Sequence, residues 1–419
     1  MPAEVSTPWT IKQLAWSDPA FGTVEAPRQP MRILGGFGSG LSIRAGEGGT
    51  VWAVCDRGPN LKLETAIKRY GFTQFEGFEG GSDAKIMPRL DLGPAIAELR
   101  VGEDRVELVR TIRLANREGV PLSGLPIPAS AHAQCEPALD LDCNLLEPSP
   151  DGLDSEGLAA LPNGGFWVSD EYGPSLLKVD AEGRVELRLL PSGIQLAGAG
   201  YPCRSSLPAI AARRQLNRGF EGVALSPSGR WLFVAFQSPL AHPGKAAHEQ
   251  ARHVRLWRLD AETGEVAAHF AYPLDEPESF LRDNAKEEVG RKDLKVSEIA
   301  ALGEDSLLVL ERSSETTKIY RISLGGPQAL PEEHLEEATR PTLEQLSAST
   351  DFPLAELSKE LLFSSDHAPQ VAADLEGMAV LSPSRLLLVN DNDFGTEGAE
   401  TSFWRIDFAA PVLVDPDSS

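Results

Sequence analysis

Apolar residues along this chain fall into short runs of roughly four to seven, bounded by Gly, Pro, Asn, Asp and Ser, a pattern that predicts strands rather than helices. One unit recurs: an acidic residue, a small residue, an apolar strand, a turn, a second apolar strand, then a polar loop. It reads Ser155-Glu156-Gly157-Leu158-Ala159-Ala160-Leu161, a Pro162-Asn163-Gly164-Gly165 turn, Phe166-Trp167-Val168, and Ser169-Asp170-Glu171-Tyr172-Gly173-Pro174. Further copies begin at Phe220-Glu221-Gly222, Ser297-Glu298-Ile299 and Leu375-Glu376-Gly377, and end in Phe236-Gln237, Glu311-Arg312-Ser313 and Asn390-Asp391-Asn392-Asp393-Phe394-Gly395. A weaker copy runs from Gly38 to Asp56-Arg57-Gly58-Pro59-Asn60.

The copies lie about 65 to 120 residues apart, and a hairpin repeated at such wide intervals points to a propeller. Each is followed by one or two more strand-like runs, such as His253–Leu259 with Val266–Phe270, and four strands per unit make a blade. The predicted fold is all-β: one β-propeller domain over residues 1–419 with five visible blades of four antiparallel strands around a central channel, six blades being the alternative. Residues 8–34, with Trp9–Leu14, are expected to supply the outer strand of the last blade. Strands are expected at Ala95–Val101 and Val106–Leu114, helices at Leu207–Gln215 and Leu354–Leu362, and a charged surface helix within 275–292.

In a hairpin the start of the first strand and the end of the second share one face. Glu156 is therefore expected near Asp170 and Glu171, Glu298 near Glu311, and Glu376 near Asp391 and Asp393. A ring of carboxylates would then line one channel mouth.

Composition narrows the function. With 42% hydrophobic and 24% charged residues, the chain has ample core. No apolar run approaches the ~20 residues of a membrane span, and a net charge of -23 disfavours nucleic acid or an anionic membrane as partner. An anionic ligand would need a cation between itself and the protein. Met1–Ser6 carry no basic start and no apolar segment. Either the chain is cytoplasmic or a secretion signal has been removed, and the even cysteine count favours the second. Cys135 and Cys143 bracket a short loop that a disulfide would close, Cys55 and Cys203 remain for a second bridge, and buried free thiols are the other reading. A monomer is expected.

Taken together, Asp56–Asn60, Asp154–Ala159, Trp167–Pro174, Gly219–Ala224, Ser297–Ile299, Glu311–Ser313 and Asn390–Gly395 resemble the family termed esterase-like activity of phytase, from about Phe37 to Phe408. The resemblance implies a phytase-like β-propeller, exported, with phosphoric-ester hydrolysis as its activity.

The chemistry also follows from the residues. Carboxylates crowded at one mouth either take up protons or bind cations. The donors are Asp, Glu, Asn and Gln oxygens with no His or Cys, a set that suits calcium over a transition metal. Candidate calcium ligands are Asp56, Glu156, Glu221, Glu298, Glu311, Glu376, Asp391 and Asp393. A bound ion would polarise a phosphoryl oxygen and acidify a water, with Glu156, Asp170 and Glu171 as catalytic carboxylates and Arg57 and Arg312 as bidentate phosphate donors. The substrate would be a small anionic phosphoester. Against this stands a plainer assignment, in which the strand-start Glu residues accept backbone N–H bonds that tie neighbouring blades together and the two arginines pair with them. Here the protein is a calcium-stabilised binding module without turnover. His132, His242, His248 and His367 fall in loops without a triad-like setting.

Overall fold

The computed structural model describes residues 8–81, 83–129 and 135–412. Met1–Ser6 and His132 lie outside them. The chain is all-β and mostly antiparallel, and its described residues form five sheets of four or five strands, in which consecutive strands pair, beside two smaller sheets of three and two strands. The first holds Gly40–Ser42, Thr50–Val54, Ala95–Val101 and Val106–Arg113. The second holds Ser155–Ala160, Phe166–Asp170, Ser175–Val179 and Val185–Pro191, with Cys203–Leu207 added in parallel. Phe220–Leu225, Trp231–Phe236, His253–Asp260 and Val266–Pro273 form the third. The fourth comprises Lys295–Ala301, Ser306–Arg312, Thr317–Ser323 and Lys359–Ser364. In the fifth, Leu375–Ser382, Arg385–Asn390 and Phe403–Phe408 are completed by Trp9–Leu14, which pairs with Phe403–Phe408.

The first strands of successive sheets pack on one another, and that of the fifth packs on that of the first. Inner strands this close need glycine. A Cβ on Gly157 would stand 2.4 Å from the Glu221 carbonyl oxygen, and one on Gly222 would stand 2.6 Å from Ile299 N. The small residue after the repeated Glu is thus a packing requirement between sheets.

Second strands are apolar on both faces because neighbouring sheets cover both. Leu386, Leu387, Leu388 and Val389 are all fully buried, and continuous apolar runs are what two-sided burial demands. Aromatics also pack within a sheet: on the third, Phe220, Phe236 and Trp257 contact one another with centroids 4.7 to 5.6 Å apart.

Three expected helices differ. Residues 354–362 hold none: Lys359–Ser364 is the outer strand of the fourth sheet, paired with Thr317–Ser323, a tertiary demand that overrides local propensity. The charged stretch 275–292 breaks into turns at Pro277–Ser279, Leu281–Asn284 and Arg291–Asp293. It is tied down because buried Asp283 accepts from Glu315 N and Thr316 N, both at 2.8 Å. Ala209–Arg213 is a single 3-10 turn. All four cysteines are free thiols. No helix among the described residues is long and apolar enough to cross a membrane.

Candidate active site

Four of the five first strands break register at their start, between Ser155 and Leu158, Phe220 and Val223, Val296 and Glu298, and Leu375 and Gly377. Such bulges re-aim side chains. In sheets two, three and five the unpaired stretch includes Glu156, Glu221 and Glu376, and all three line a cavity of about 300 Å³. The ends of the second strands complete its wall with Asp56, Arg57, Glu171, Gln237, Arg312, Asp391 and Asp393. Backbone strain gathers here too: Asn217, Asp374 and Asp393 adopt φ of +56°, +50° and +47°, a left-handed conformation costly for non-glycine residues and typical of functional loops.

Two groups of carboxylates converge. Asp56, Asp391 and Asp393 offer oxygens within 4.8 Å of one another, as do Asp154, Glu156 and Glu171. Burial, reinforced by neighbouring carboxylates, pushes Asp56, Glu156, Glu221 and Asp391 well above the usual carboxylate range. Burial and Asp154 raise Glu171 to about 7. Asp154 itself rises to about 6 by burial, against the pull of Arg57. Glu221 Oε2 and Gln237 Oε1 are buried without a hydrogen-bond partner. An all-oxygen donor set, with two orphaned acceptors among it, fits a hard cation.

Other expected residues lie elsewhere. Asp170 turns away from Glu171 and pairs with Arg188 at 2.6 Å, both side chains fully buried. Glu311 accepts from Tyr272 Oη at 2.7 Å and Lys359 Nζ at 2.6 Å, outside the cavity. Glu298 also misses the wall. In the fourth sheet the bulge falls on Ser297, so Glu298 occupies the paired position that Gly377 holds in the fifth. Its carboxyl accepts from Leu41 N and Ile299 N at 3.0 Å each, tying the fourth sheet to the first. The arginines are engaged as well. Arg57 binds Glu136 at 2.6 Å, Asp154 at 2.7 Å and Asn217 and Tyr172 at 2.8 Å each. Arg312 binds Asp374 at 2.8 Å and Glu376, with Nε on Ser297 Oγ at 2.8 Å.

Asp154 and Asp374 belong to the site without having been singled out in the sequence. Their signal is the shared Asp-x-Glu-Gly in Asp154–Gly157 and Asp374–Gly377. Lys62, Lys85, Lys295, Asn217 and Glu397 also line the cavity and stand outside every repeated motif. None of the described histidines does.

A sequence model named Phytase-like, for esterase-like activity of phytase, matches residues 32–394. The chain belongs to this family. A relative from Arthroderma benhamiae, described as an uncharacterized secreted protein, is 27% identical over 271 residues, covering 54% of the phytase-like chain and 49% of the relative. The chain thus spans about half the length of that curated relative. Among solved structures, PQQ-bound aldose sugar dehydrogenase from Streptomyces coelicolor is 11% identical with a TM-score of 0.34, covering 95% of this chain and 98% of its own. Virginiamycin B lyase from Staphylococcus aureus is 9% identical with a TM-score of 0.32, covering 96% and 99%. Likeness at that level says nothing of the chemistry of the phytase-like chain.

Proposed function

We propose that this chain is a five-bladed β-propeller, exported from the cell, whose acidic cavity hydrolyses a small phosphoester with the help of calcium. Family membership and the secreted relative support the class of reaction and the export. The observation that carries the metal part is the group Asp56, Asp391 and Asp393: three carboxylates converge without a basic side chain paired to any of them among the described residues. These three would hold calcium, and Glu156 and Glu221 offer further oxygens in the same cavity. When bound, the ion supplies Lewis-acid polarisation of a phosphoryl oxygen.

The chain's own side chains do the rest. Glu171, titrating near neutrality, takes a proton from the attacking water. Arg57 and Arg312 act through the carboxylates they hold, fixing Glu376 in the wall and Asp154 behind Glu156 and Glu171. The test is hydrolysis of p-nitrophenyl phosphate in EDTA and in calcium. Turnover is expected in calcium alone, to fall roughly a hundredfold or more in Glu171→Gln, and to vanish in Asp391→Ala and Glu156→Ala variants that remain folded. Unchanged turnover in those variants would remove the site assignment. A calcium-raised melting temperature without phosphate release would overturn the enzyme and leave a binding module.

A further inference from the structure

Arg312 has all three nitrogens bonded to protein oxygens, and Arg57 has both terminal nitrogens so bonded, leaving only a buried Nε, so neither presents a free guanidinium edge to a phosphate. Among the described residues at or beside the cavity, four other basic side chains are not engaged in this way: Lys62 and Lys85, which line the cavity within electrostatic reach of Asp393, and two that stand with Arg312. Arg218 Nη1 is buried with no hydrogen-bond partner, and among the described residues no hydrogen bond or ion pair reaches Lys295 Nζ.

Both stand beside the starts of first strands. Arg218 comes just before the first strand of the third sheet, next to cavity-lining Asn217, within electrostatic reach of Glu171, Glu221 and Arg312. Lys295 opens the first strand of the fourth sheet and lines the cavity. Counting back from the bulge, it stands where the fifth sheet has Asp374 and the second has Asp154. One sheet therefore presents an ammonium where two others present a carboxylate. Burial, with Arg312 and Arg218 alongside, pushes the Lys295 amine down to about 8. Crowded, desolvated cations with unfilled donor positions disfavour their own charge, and a bound anion reverses that cost.

We propose that Arg218 and Lys295, beside Arg312, form an oxyanion site that receives the tetrahedral phosphate group of the substrate. This rests on the phosphoester reading of the same cavity and adds to it the side chains that hold the phosphate. The site donates charge-assisted hydrogen bonds to the phosphate oxygens from one wall, while the carboxylate groups occupy the rest. A dianionic phosphomonoester suits it better than a neutral ester, because its charged oxygens make the stronger acceptors for the unfilled N–H positions of Arg218 and Lys295.

Phenylphosphonate, a non-hydrolysable phosphomonoester mimic, tests this by calorimetric titration of the whole chain in EDTA and again in calcium. The wild type is expected to bind, and Arg218→Gln and Lys295→Gln to weaken binding roughly tenfold or more each, the loss of one charge-assisted contact. Lys295→Arg should restore binding to within about threefold of the wild type, since it returns the charge and a donor. Should Arg218→Gln unfold, Lys295→Gln and Lys295→Arg still decide the matter, their side chain being only half-buried. No binding by the wild type in either buffer, or equal affinity in folded Lys295→Gln, would overturn the oxyanion site. Calcium-raised melting is read separately: its loss would sink the calcium reading while a phosphonate result stands.

Discussion

Two buried polar clusters in this protein are built on opposite terms. Between the third and fourth sheets, Asp275 and Glu311 meet Lys318 and Lys359, two carboxylates to two ammoniums, with Tyr272 and Tyr320 completing the hydrogen bonds. Burial alone would raise Asp275, yet Lys359 and Lys318 hold its carboxyl down to about 2. The cavity, by contrast, is lined by nine carboxylates and five basic side chains, and burial pushes Asp56, Glu156, Glu171, Glu221, Glu376, Asp391 and Asp393 up. A buried cluster whose charges cancel holds strands together, whereas one left unbalanced needs something from solution. That contrast, more than acidity, separates the site from structural ion pairs.

The largest expected effect comes from breaking the balanced cluster. Lys359→Met leaves fully buried Glu311 without its cation, and losing one partner of a buried pair costs ~3–5 kcal/mol. Urea unfolding should show that loss equally in EDTA and in calcium. A loss that calcium repairs would mean the two clusters are one system.

Next in size is calcium itself. Binding at a hundredfold excess over Kd stabilises by about 2.7 kcal/mol, visible as a raised melting temperature in the wild type and mostly absent in Asp391→Asn. In EDTA that variant should melt no lower than the wild type, because it removes one of three mutually repelling carboxylates. Two charge-removing substitutions would thus act with opposite sign, and a large destabilisation by Asp391→Asn in EDTA would break the comparison.

A smaller effect separates the clusters by pH. Glu171 and Asp154 have folded pKa values raised to about 7 and about 6 from ordinary values of 4.5 and 3.8. Their protonated forms contribute stability that is full below the ordinary values and is lost as pH rises through the raised ones. Asp275 runs the other way: its contribution is present above 3.8 and is lost as pH falls through about 2. In EDTA, melting temperature should therefore decline between about pH 5 and 8, and calcium should flatten the decline. A rise with pH across that window in EDTA would contradict the raised carboxyls.

The hairpin repeat made the inner strands legible, since apolar runs between turn residues are how a strand covered on both faces must read. Ala95–Val101 matches its expected bounds. The strand at Lys359–Ser364 was not legible, because Leu354–Leu362 is equally apolar as helix or strand and only the unpaired edge of Thr317–Ser323 decides. At the site, Glu156, Glu171, Glu221, Glu376, Asp391 and Asp393 were readable from hairpin geometry. Asp170 and Glu311 were not separable from them, because successive residues in a strand point to opposite faces and letters do not say which faces a channel.

Glu298 shows how far one bulge matters, and it carries the smallest expected effect. By sequence it is a sibling of Glu156 and Glu376, but the bulge at Ser297 places it against the backbone of the first sheet instead of in the cavity wall. Burial, which its backbone N–H donors only partly offset, pushes its carboxyl well above the usual range. Glu298→Gln leaves one amide oxygen where Leu41 N and Ile299 N each have a carboxyl oxygen of their own, so one N–H loses its acceptor and stability should fall by about 1 kcal/mol, with the calcium-induced shift in melting intact. Glu156→Gln, altered by the same atoms, should lose most of that shift. If Glu298→Gln lost it as well, the carboxylates of the inner strands would act as one ring, and a cation would have to be shared along the channel rather than held at its mouth.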